Sequence, residues 1–232
     1  MSRVIIITGT RKGIGRYLSE QYLAQGDIVY GCSRRETDLV HENYHHTRLD
    51  VADEALVAAF VRNIYKENKC IDILINNAGI ASMNAFMLTP YQTAQRVMNT
   101  NFMGTFLMCR EVSKYMIKAK AGRIINYSTI AVALHLQGEL VYSASKAAIE
   151  QLTRVLAGEL GTFGITVNAV GPTPIDTDLI KHVPTEKIDD LLGHQCVKRL
   201  GTFEDVKNVI DFYLRPESNY ITGQVLYLGG IM

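Results

Sequence analysis

Tyr142 and Lys146 lie four residues apart in the run Tyr142-Ser143-Ala144-Ser145-Lys146, and on a helix that spacing stacks two side chains on one face. The chemistry this suggests is proton transfer. An ammonium beside a phenol favours the phenolate and draws a pKa that is ordinarily near ~10 toward neutrality, where a tyrosine can act as general acid or base. The spacing does not select the pair by itself, because Tyr65 and Lys69 repeat it in a polar stretch that reads as a solvated helix end. Context has to decide, and two further clusters supply it.

The first cluster is Thr8-Gly9-Thr10-Arg11-Lys12-Gly13-Ile14-Gly15, which follows a β-branched run from Val4 to Thr8 and precedes an amphipathic helix from Tyr17 to Gln25. A strand, a glycine loop and a helix N-terminus in that order form a cradle for a diphosphate. The spacing here is G-x-x-x-G-x-G. The second cluster, Ser33-Arg34-Arg35, closes another apolar run, Ile28 to Cys32. An acidic residue at this strand end would hold a ribose diol, whereas arginine accommodates a 2′-phosphate. With Lys12 as a further cation in the loop, NADP is favoured over NAD, which stays the alternative; the bland reading is solvated surface charge.

The elements that must position these groups alternate along the chain. Tyr44 to Leu49 reads as a short strand, Asp53 to Glu67 as a helix capped by Asp53 with Leu56, Ala59, Phe60 and Ile64 facing inward, and Ile71 to Ile75 as a buried strand. Asn76-Asn77-Ala78-Gly79 ends that strand, where turn chemistry and ligand binding are equally good readings. A long helix starts at Thr89-Pro90 and runs through Met98, Phe102, Phe106, Met108 and Met116, an apolar stripe for core or subunit interface. Asn101 is its polar anomaly, suited either to a backbone carbonyl or to a water. Arg123 to Tyr127 is a strand ending in Ser128-Thr129, and the helix of Tyr142 continues through Ile149, Leu152, Leu156 and Leu160. Thr166 to Val170 is a strand leading into Gly171-Pro172-Thr173-Pro174-Ile175-Asp176-Thr177. Phe203 to Tyr213 is a last helix and Gln224 to Leu228 a last strand. The poorly patterned segment 178–197 reads as a mobile substrate lid. Strands alternating with helices, without repeats or linkers, predict one α/β domain over residues 1–232 built on a doubly wound parallel sheet with helices on both faces.

Composition narrows the classes. The chain has 232 residues, 47% of them hydrophobic, and a net charge of +1, which is enough for a sizeable core and lacks the basic face that nucleic acid requires. A start too short for a signal peptide and the lack of any long apolar run predict a cytoplasmic protein with no membrane partner. Cys32, Cys70, Cys109 and Cys196 form no C-x-x-C pair and read as reduced core thiols, so no metal is expected. His41-Glu42-Asn43-Tyr44-His45 spells a zinc-protease motif, but Tyr44 to Leu49 is extended rather than helical, and no third ligand follows. His46, His135, His182 and His194 make no ligand pattern either. Asn126-Tyr127-Ser128 is a glycosylation sequon inside a strand, the wrong place for one.

Thr8-Gly9-x-x-x-Gly13-Ile14-Gly15, Asn76-Asn77-Ala78-Gly79, Asn101, Tyr142-x-x-x-Lys146 and Ile221-Thr222-Gly223-Gln224 occur in one order. In these motifs the chain resembles the short-chain dehydrogenase/reductase (SDR) family over essentially its full length, and most resembles its 3-oxoacyl-[acyl-carrier-protein] reductase branch. The resemblance implies an NADP(H)-dependent oxidoreductase acting on a carbonyl or secondary alcohol. The alternatives are a sugar, polyol or steroid dehydrogenase using NAD, and a catalytically silent dinucleotide sensor or scaffold. It implies that Tyr142 donates a proton to the carbonyl, that Lys146 holds the nicotinamide ribose, and that Asn101 keeps a water in a proton relay. The implied cofactor residues are Gly9, Arg11, Lys12, Gly13, Ile14, Gly15, Ser33, Arg34, Asp50, Val51, Asn77, Ala78, Gly79, Tyr142, Lys146, Pro172, Ile175 and Thr177. Asp50 and Val51 would contact adenine, and Ile175 and Thr177 the carboxamide and phosphates. A homotetramer is implied, with a homodimer as the alternative. The family's usual serine, thirteen residues before the tyrosine, is Thr129 here; Ser128 is the substitute if the register slips by one. The usual Pro-Gly is Pro172-Thr173, which restricts the turn beside the nicotinamide.

Overall fold

Isoleucine and valine runs too short for helices and bounded by glycine or polar turns become the central strands of this molecule. The structure is a computed structural model that describes residues 2–177, 180 and 183–231. Its strands are β1 (Val4–Thr8), β2 (Ile28–Ser33), β3 (Tyr44–Arg48), β4 (Ile73–Asn76), β5 (Gly122–Tyr127), β6 (Ile165–Gly171) and β7 (Val225–Tyr227). All pair in parallel, in the order β3-β2-β1-β4-β5-β6-β7. The helices are α1 (Gly13–Ala24), α2 (Glu54–Asn68), α3 (Tyr91–Met98), α4 (Gly104–Ala119), α5 (Ile130–Ala133), α6 (Leu140–Leu160), α7 (Thr185–Gly193) and α8 (Phe203–Leu214).

Strand alternation sends neighbouring side chains to opposite faces, and β1 divides accordingly. Ile6 packs with Leu74, Ile124 and Val167 beneath α2 and α4, while Ile5 and Ile7 pack with Ile73, Ile75 and Ile125 beneath α1 and α8. Helices therefore cover both faces, as the doubly wound pattern predicts. Each isoleucine of β1 is fully buried and contributes roughly 1.5–3 kcal/mol. That is several times the worth of a surface pair such as Arg48–Glu36, 3.8 Å apart, so the buried sheet holds the frame.

Several expected boundaries move. α1 begins at Gly13, four residues before Tyr17, because the glycine loop runs straight into its first turn from the N-cap Lys12. α2 is capped as expected, with Asp53 Oδ1 accepting from the Leu56 amide at 3.0 Å. Its inner face, however, is Val57, Phe60, Val61 and Ile64; Leu56 is 48% exposed. Lys69 lies beyond α2 in the left-handed conformation (φ 61°) and Tyr65 stacks on Tyr115, so the second Tyr–Lys pair shares no helical face. The long helix from Pro90 is interrupted at Asn99–Met103 by a π-turn between α3 and α4. Of the cysteines expected in the core, only Cys32 and Cys109 are buried; Cys196 is exposed and Cys70 half-buried. Within the segment 178–197, Thr185–Gly193 is helical (α7), and residues 178, 179, 181 and 182 lie outside the described residues. Among the described residues no helix is long and apolar enough to cross a membrane, and no cluster of three His, Cys, Asp or Glu could hold a metal.

Candidate active site

The chain leaves β1 toward β2 on one side and returns to β4 on the other. The carboxyl ends of β1 and β4 therefore open a crevice at the point where strand order reverses, the usual ligand side of such sheets. Thr8-Gly9, Asn76 to Gly79, Ser128-Thr129 and Gly171-Pro172 all end strands on this edge.

Tyr142 and Lys146 sit in the first two turns of α6. Lys146 is buried, and its Nζ donates to the Tyr127 carbonyl at 2.9 Å. Burial lowers its pKa to about 8. The Tyr142 phenol behaves opposite to the expectation from spacing: it is raised to about 12, chiefly by burial and further by the charge of Glu139, while a hydrogen bond with Thr129 pulls it down. The ammonium faces a carbonyl instead of the phenol, so desolvation wins.

Thr129, not Ser128, faces the tyrosine. Thr129 Oγ1 also caps α5, accepting from the Ala131 amide at 3.3 Å. Ser128 Oγ turns away and donates to buried Glu150 at 2.5 Å, so it cannot serve as the substitute hydroxyl in this arrangement. Asn101 lies fully buried in the π-turn. Its Oδ1 accepts from the Ile80 amide at 2.8 Å, and its Nδ2 donates to the Ile80 carbonyl and to Ser145 Oγ, each at 2.9 Å. Both amide hydrogens are thus spent on protein, the backbone-carbonyl reading of this residue. Ser145 in turn donates to the Tyr142 carbonyl at 2.7 Å, tying the loop after β4 to the first turn of α6. Gly79 lies against the same group: a Cβ there would be 3.4 Å from Asn101 Oδ1 and 3.6 Å from Lys146 Nζ.

On the other side of the crevice, Gly9 has φ +76° and packs so tightly that a Cβ would lie 2.9 Å from Asn77 Nδ2 and 3.0 Å from the Ala78 backbone. Asn77 Nδ2 donates to the Thr8 and Gly9 carbonyls at 2.9 and 3.2 Å, and the Ala78 amide donates to Thr8 Oγ1 at 2.9 Å. Asn77 therefore braces the glycine loop with its side chain. The N-cap residue Lys12 makes no side-chain capping bond to α1 and no acid stands in the first turn, which suits the amides of Gly13, Ile14 and Gly15 to an anion. These features fit a dinucleotide diphosphate. A Cβ on Gly13 would be 3.8 Å from Thr177 Cγ2, so the turn after β6 reaches the glycine loop. Ile175 is buried and pairs with Gly201; the Pro172 carbonyl accepts from the Ile130 amide at 3.3 Å. Thr173 lies outside the positive-φ residues, so the missing glycine leaves no left-handed strain. Ser33 is half-buried and Arg34 and Arg35 are exposed beyond β2, with Arg11 and Lys12 across from them in the loop. Asp50 Oδ1 accepts from the Ala52 amide at 3.0 Å and Val51 packs on Gly104.

A cavity of about 580 Å³ opens between Met83, Phe86, Lys187 of α7, and Gln137 and Gly138, which shortly precede α6. That volume suits a small molecule.

The sequence profile described as short chain dehydrogenase matches residues 3–188. The chain belongs to this family. Among curated short chain dehydrogenases it is 32% identical to the 3-oxoacyl-[acyl-carrier-protein] reductase FabG of Vibrio harveyi over 236 residues, covering 99% of this chain and 97% of the relative. To the enzyme of the same name from Escherichia coli (strain K12) it is 30% identical over the same coverage. Among solved structures, ElxO with NADP bound superposes with a TM-score of 0.90 at 31% identity, covering 98% of this chain and 97% of that one. Ligand-free aldohexose dehydrogenase of Thermoplasma acidophilum gives a TM-score of 0.89 at 27% identity, covering 99% and 93%. With the family comes the activity at its coarsest, that of an NAD(P)-dependent oxidoreductase.

Like the rest of this short chain dehydrogenase's sheet edge, α6 is held in place by buried polar contacts. Asn76 Nδ2 donates to Asn126 Oδ1 at 2.9 Å, and Asn126 Nδ2 to Thr153 Oγ1 of α6 at 2.9 Å. Asn126, read from sequence only as an unusable sequon, is the middle of this chain of bonds. Asn126→Ala takes one partner each from Asn76 Nδ2, which keeps Cys109 Sγ, and Thr153 Oγ1, which still donates to the Ile149 carbonyl; urea denaturation should show a loss of about 1–3 kcal/mol. Reading the sequence also missed Ser145, Glu139 and His46; Ser145 stood inside the Tyr–Lys motif and could have been found there.

Proposed function

We propose that this chain is an NADP(H)-dependent carbonyl reductase, or the reverse secondary-alcohol dehydrogenase, acting on CH–OH groups. The observation that carries the reading is the hydrogen-bonded pair Thr129 and Tyr142, with Lys146 one helical turn on in α6 and bonded to the Tyr127 carbonyl at the carboxyl end of β5. With a pKa of about 12 the phenol keeps its proton at neutral pH, the state required of an acid that protonates a carbonyl oxygen. Thr129 supplies a second hydroxyl to orient that oxygen. Lys146, largely cationic at neutral pH with its pKa of about 8, holds positive charge where an alkoxide or phenolate would form. Gly79, beside Lys146 and Asn101, leaves room for the ribose. The nicotinamide, when bound, supplies the hydride; Ile175 and Thr177 would line its carboxamide and phosphate side, and Asp50 and Val51 the adenine. Asn101 acts by holding the Ile80 loop and Ser145, and a relay water would use its backbone surroundings.

The relatives named 3-oxoacyl-[acyl-carrier-protein] reductase support a 3-oxoacyl thioester as substrate, and the aldohexose dehydrogenase likeness supports an aldose as the second reading. A silent sensor has no use for the acid and its hydroxyl partner. The segment 178–197, with α7 and Lys187 at the cavity mouth, would form the substrate lid. Met103 and Val155, exposed on the helices carrying Asn101 and Tyr142, suit the faces of a homotetramer, with a homodimer using the same surfaces, in the cytoplasm. The test is NADPH oxidation followed at its near-ultraviolet absorbance with β-ketoacyl thioesters, aldoses and simple ketones; no substrate-dependent oxidation of either NADPH or NADH would overturn the reading. For the cofactor, Arg34→Ala should raise the KM for NADPH roughly tenfold or more, the worth of one charged phosphate contact. The KM for NADH should hardly move; equal effects would sink the 2′-phosphate assignment. A tyrosine-to-phenylalanine variant of ElxO has been seen with NADPH bound, which supports separating cofactor binding from chemistry in this way.

A further inference from the structure

His46 lies on β3 opposite Gly31 of β2, and both of its ring nitrogens are engaged at the end of the sheet where Arg34 and Arg35 leave β2. Nε2 is 3.1 Å from the Arg35 carbonyl and 3.2 Å from Ser33 Oγ. Ser33 Oγ itself donates to the Arg35 carbonyl at 2.6 Å. A carbonyl only accepts, so Nε2 carries the hydrogen and Nδ1 is left as the acceptor. Nδ1 is 3.1 Å from the Tyr44 hydroxyl and 3.5 Å from Thr10 Oγ1; Tyr44 donates its one hydroxyl hydrogen to Thr10 at 2.8 Å, so the hydrogen left for Nδ1 to accept is that of Thr10. Room for the Tyr44 hydroxyl comes from Gly31, where a Cβ would lie 2.3 Å from it.

The imidazole thus joins two segments that a 2′-phosphate would touch from opposite sides. One is the glycine loop, through Thr10, which precedes Arg11 and Lys12. The other is the strand end Ser33–Arg35, whose carbonyl and hydroxyl it fixes. On the far side of that loop Arg16 of α1 bonds Thr37 and Asp38 at 3.3 and 2.5 Å. The segment bearing Arg34 and Arg35 is therefore anchored at both ends while its guanidinium groups stay exposed. Fixing the backbone beneath an exposed arginine lowers the ordering cost when it closes on an anion.

We propose that His46 is a positioning residue for the cofactor's 2′-phosphate, clamping the strand end that presents Arg34 and Arg35 to the glycine loop. The proposal rests on the NADP reading above and goes beyond it by placing cofactor choice partly on a residue that never touches the cofactor. A structural role alone would weaken all dinucleotides alike. A clamp on the arginine segment weakens only the phosphorylated one.

Equilibrium titration of nicotinamide fluorescence with NADPH and with NADH separates these outcomes. His46→Asn keeps a polar group near Tyr44 and Thr10 but is too short to reach the Arg35 carbonyl, whereas His46→Gln places an amide where Nε2 stood. His46→Asn is expected to weaken NADPH roughly tenfold, the scale of one supporting hydrogen bond to a charged site. It should leave NADH within about twofold, and His46→Gln should recover most of the loss. Equal weakening of both cofactors in His46→Asn, or no weakening, overturns the clamp. A wild-type protein that binds both cofactors alike overturns the NADP reading and the clamp with it; a wild-type preference that survives undiminished in His46→Asn overturns the clamp alone.

Discussion

Tyr142→Phe is expected to lower turnover by about 10²–10⁴-fold, the range that a positioned general acid contributes, while leaving NADPH binding nearly unchanged. The substitution keeps the ring and removes one oxygen. With its pKa raised to about 12, that oxygen keeps its proton at neutral pH, and it hydrogen-bonds with Thr129. Thr129 keeps its second bond, to the Ala131 amide, so α5 should stay in place. The loss should therefore appear in kcat for every substrate that responds, with a small change in KM. Single-turnover NADPH oxidation and a fluorescence titration of NADPH measure the two halves. A variant that turned over at the wild-type rate on all responsive substrates would remove Tyr142 from the mechanism.

What made Tyr142 readable from sequence was its helical spacing to Lys146 together with glycines and strand ends arranged in one order. These are local properties, and local properties survive into the fold. β1 and its neighbours appear within a residue or two of where β-branched runs place them, because four to seven consecutive buried residues admit few other structures. The partners of the site residues are set by the fold instead. Nothing near Lys146 in sequence says that its ammonium will meet the Tyr127 carbonyl nineteen residues away, so the expected depression of the phenol pKa gave way to burial. Likewise Asn101 read as an odd amide in an apolar helix, but the π-turn that turns it toward Ile80 and Ser145 leaves no periodic trace. His46 was dismissed with the other histidines because it lacked a ligand pattern. Its partners come from the glycine loop, β2 and β3 at once, and only strand register brings them together. α7 was the readable feature that went unread: Ile188, Leu191 and Leu192 have helical spacing after Pro184.

Lys146→Met should cost activity and add stability. Turnover should fall roughly 10²–10³-fold, the usual loss when one preorganised electrostatic contact is removed. The same side chain is a buried cation whose pKa has been lowered to about 8 by desolvation. Below that pH the fold carries the cost of keeping the ammonium charged, and a methionine of similar length lifts it, at the expense of the bond to Tyr127. A net gain of about 1–2 kcal/mol at pH 7 is expected. The pH dependence gives a sharper signature. Between about 8 and the ordinary 10.5 the folded chain holds fewer protons at this site than the unfolded one, so this lysine makes stability rise with pH across that window. Tyr142, raised from 10.0 to about 12, and Cys32 and Cys109, raised from 9.0 to about 12, work the other way: the folded chain keeps protons the unfolded chain has lost, and stability falls. Subtracting the variant's profile from the wild type's removes those shared contributions and leaves the rise due to Lys146. Urea unfolding of both proteins from pH 7 to 10 measures it. A wild-type advantage at pH 7 that stays flat to pH 10 would mean that the ammonium supports the fold, and that its low pKa is not a strain carried for catalysis.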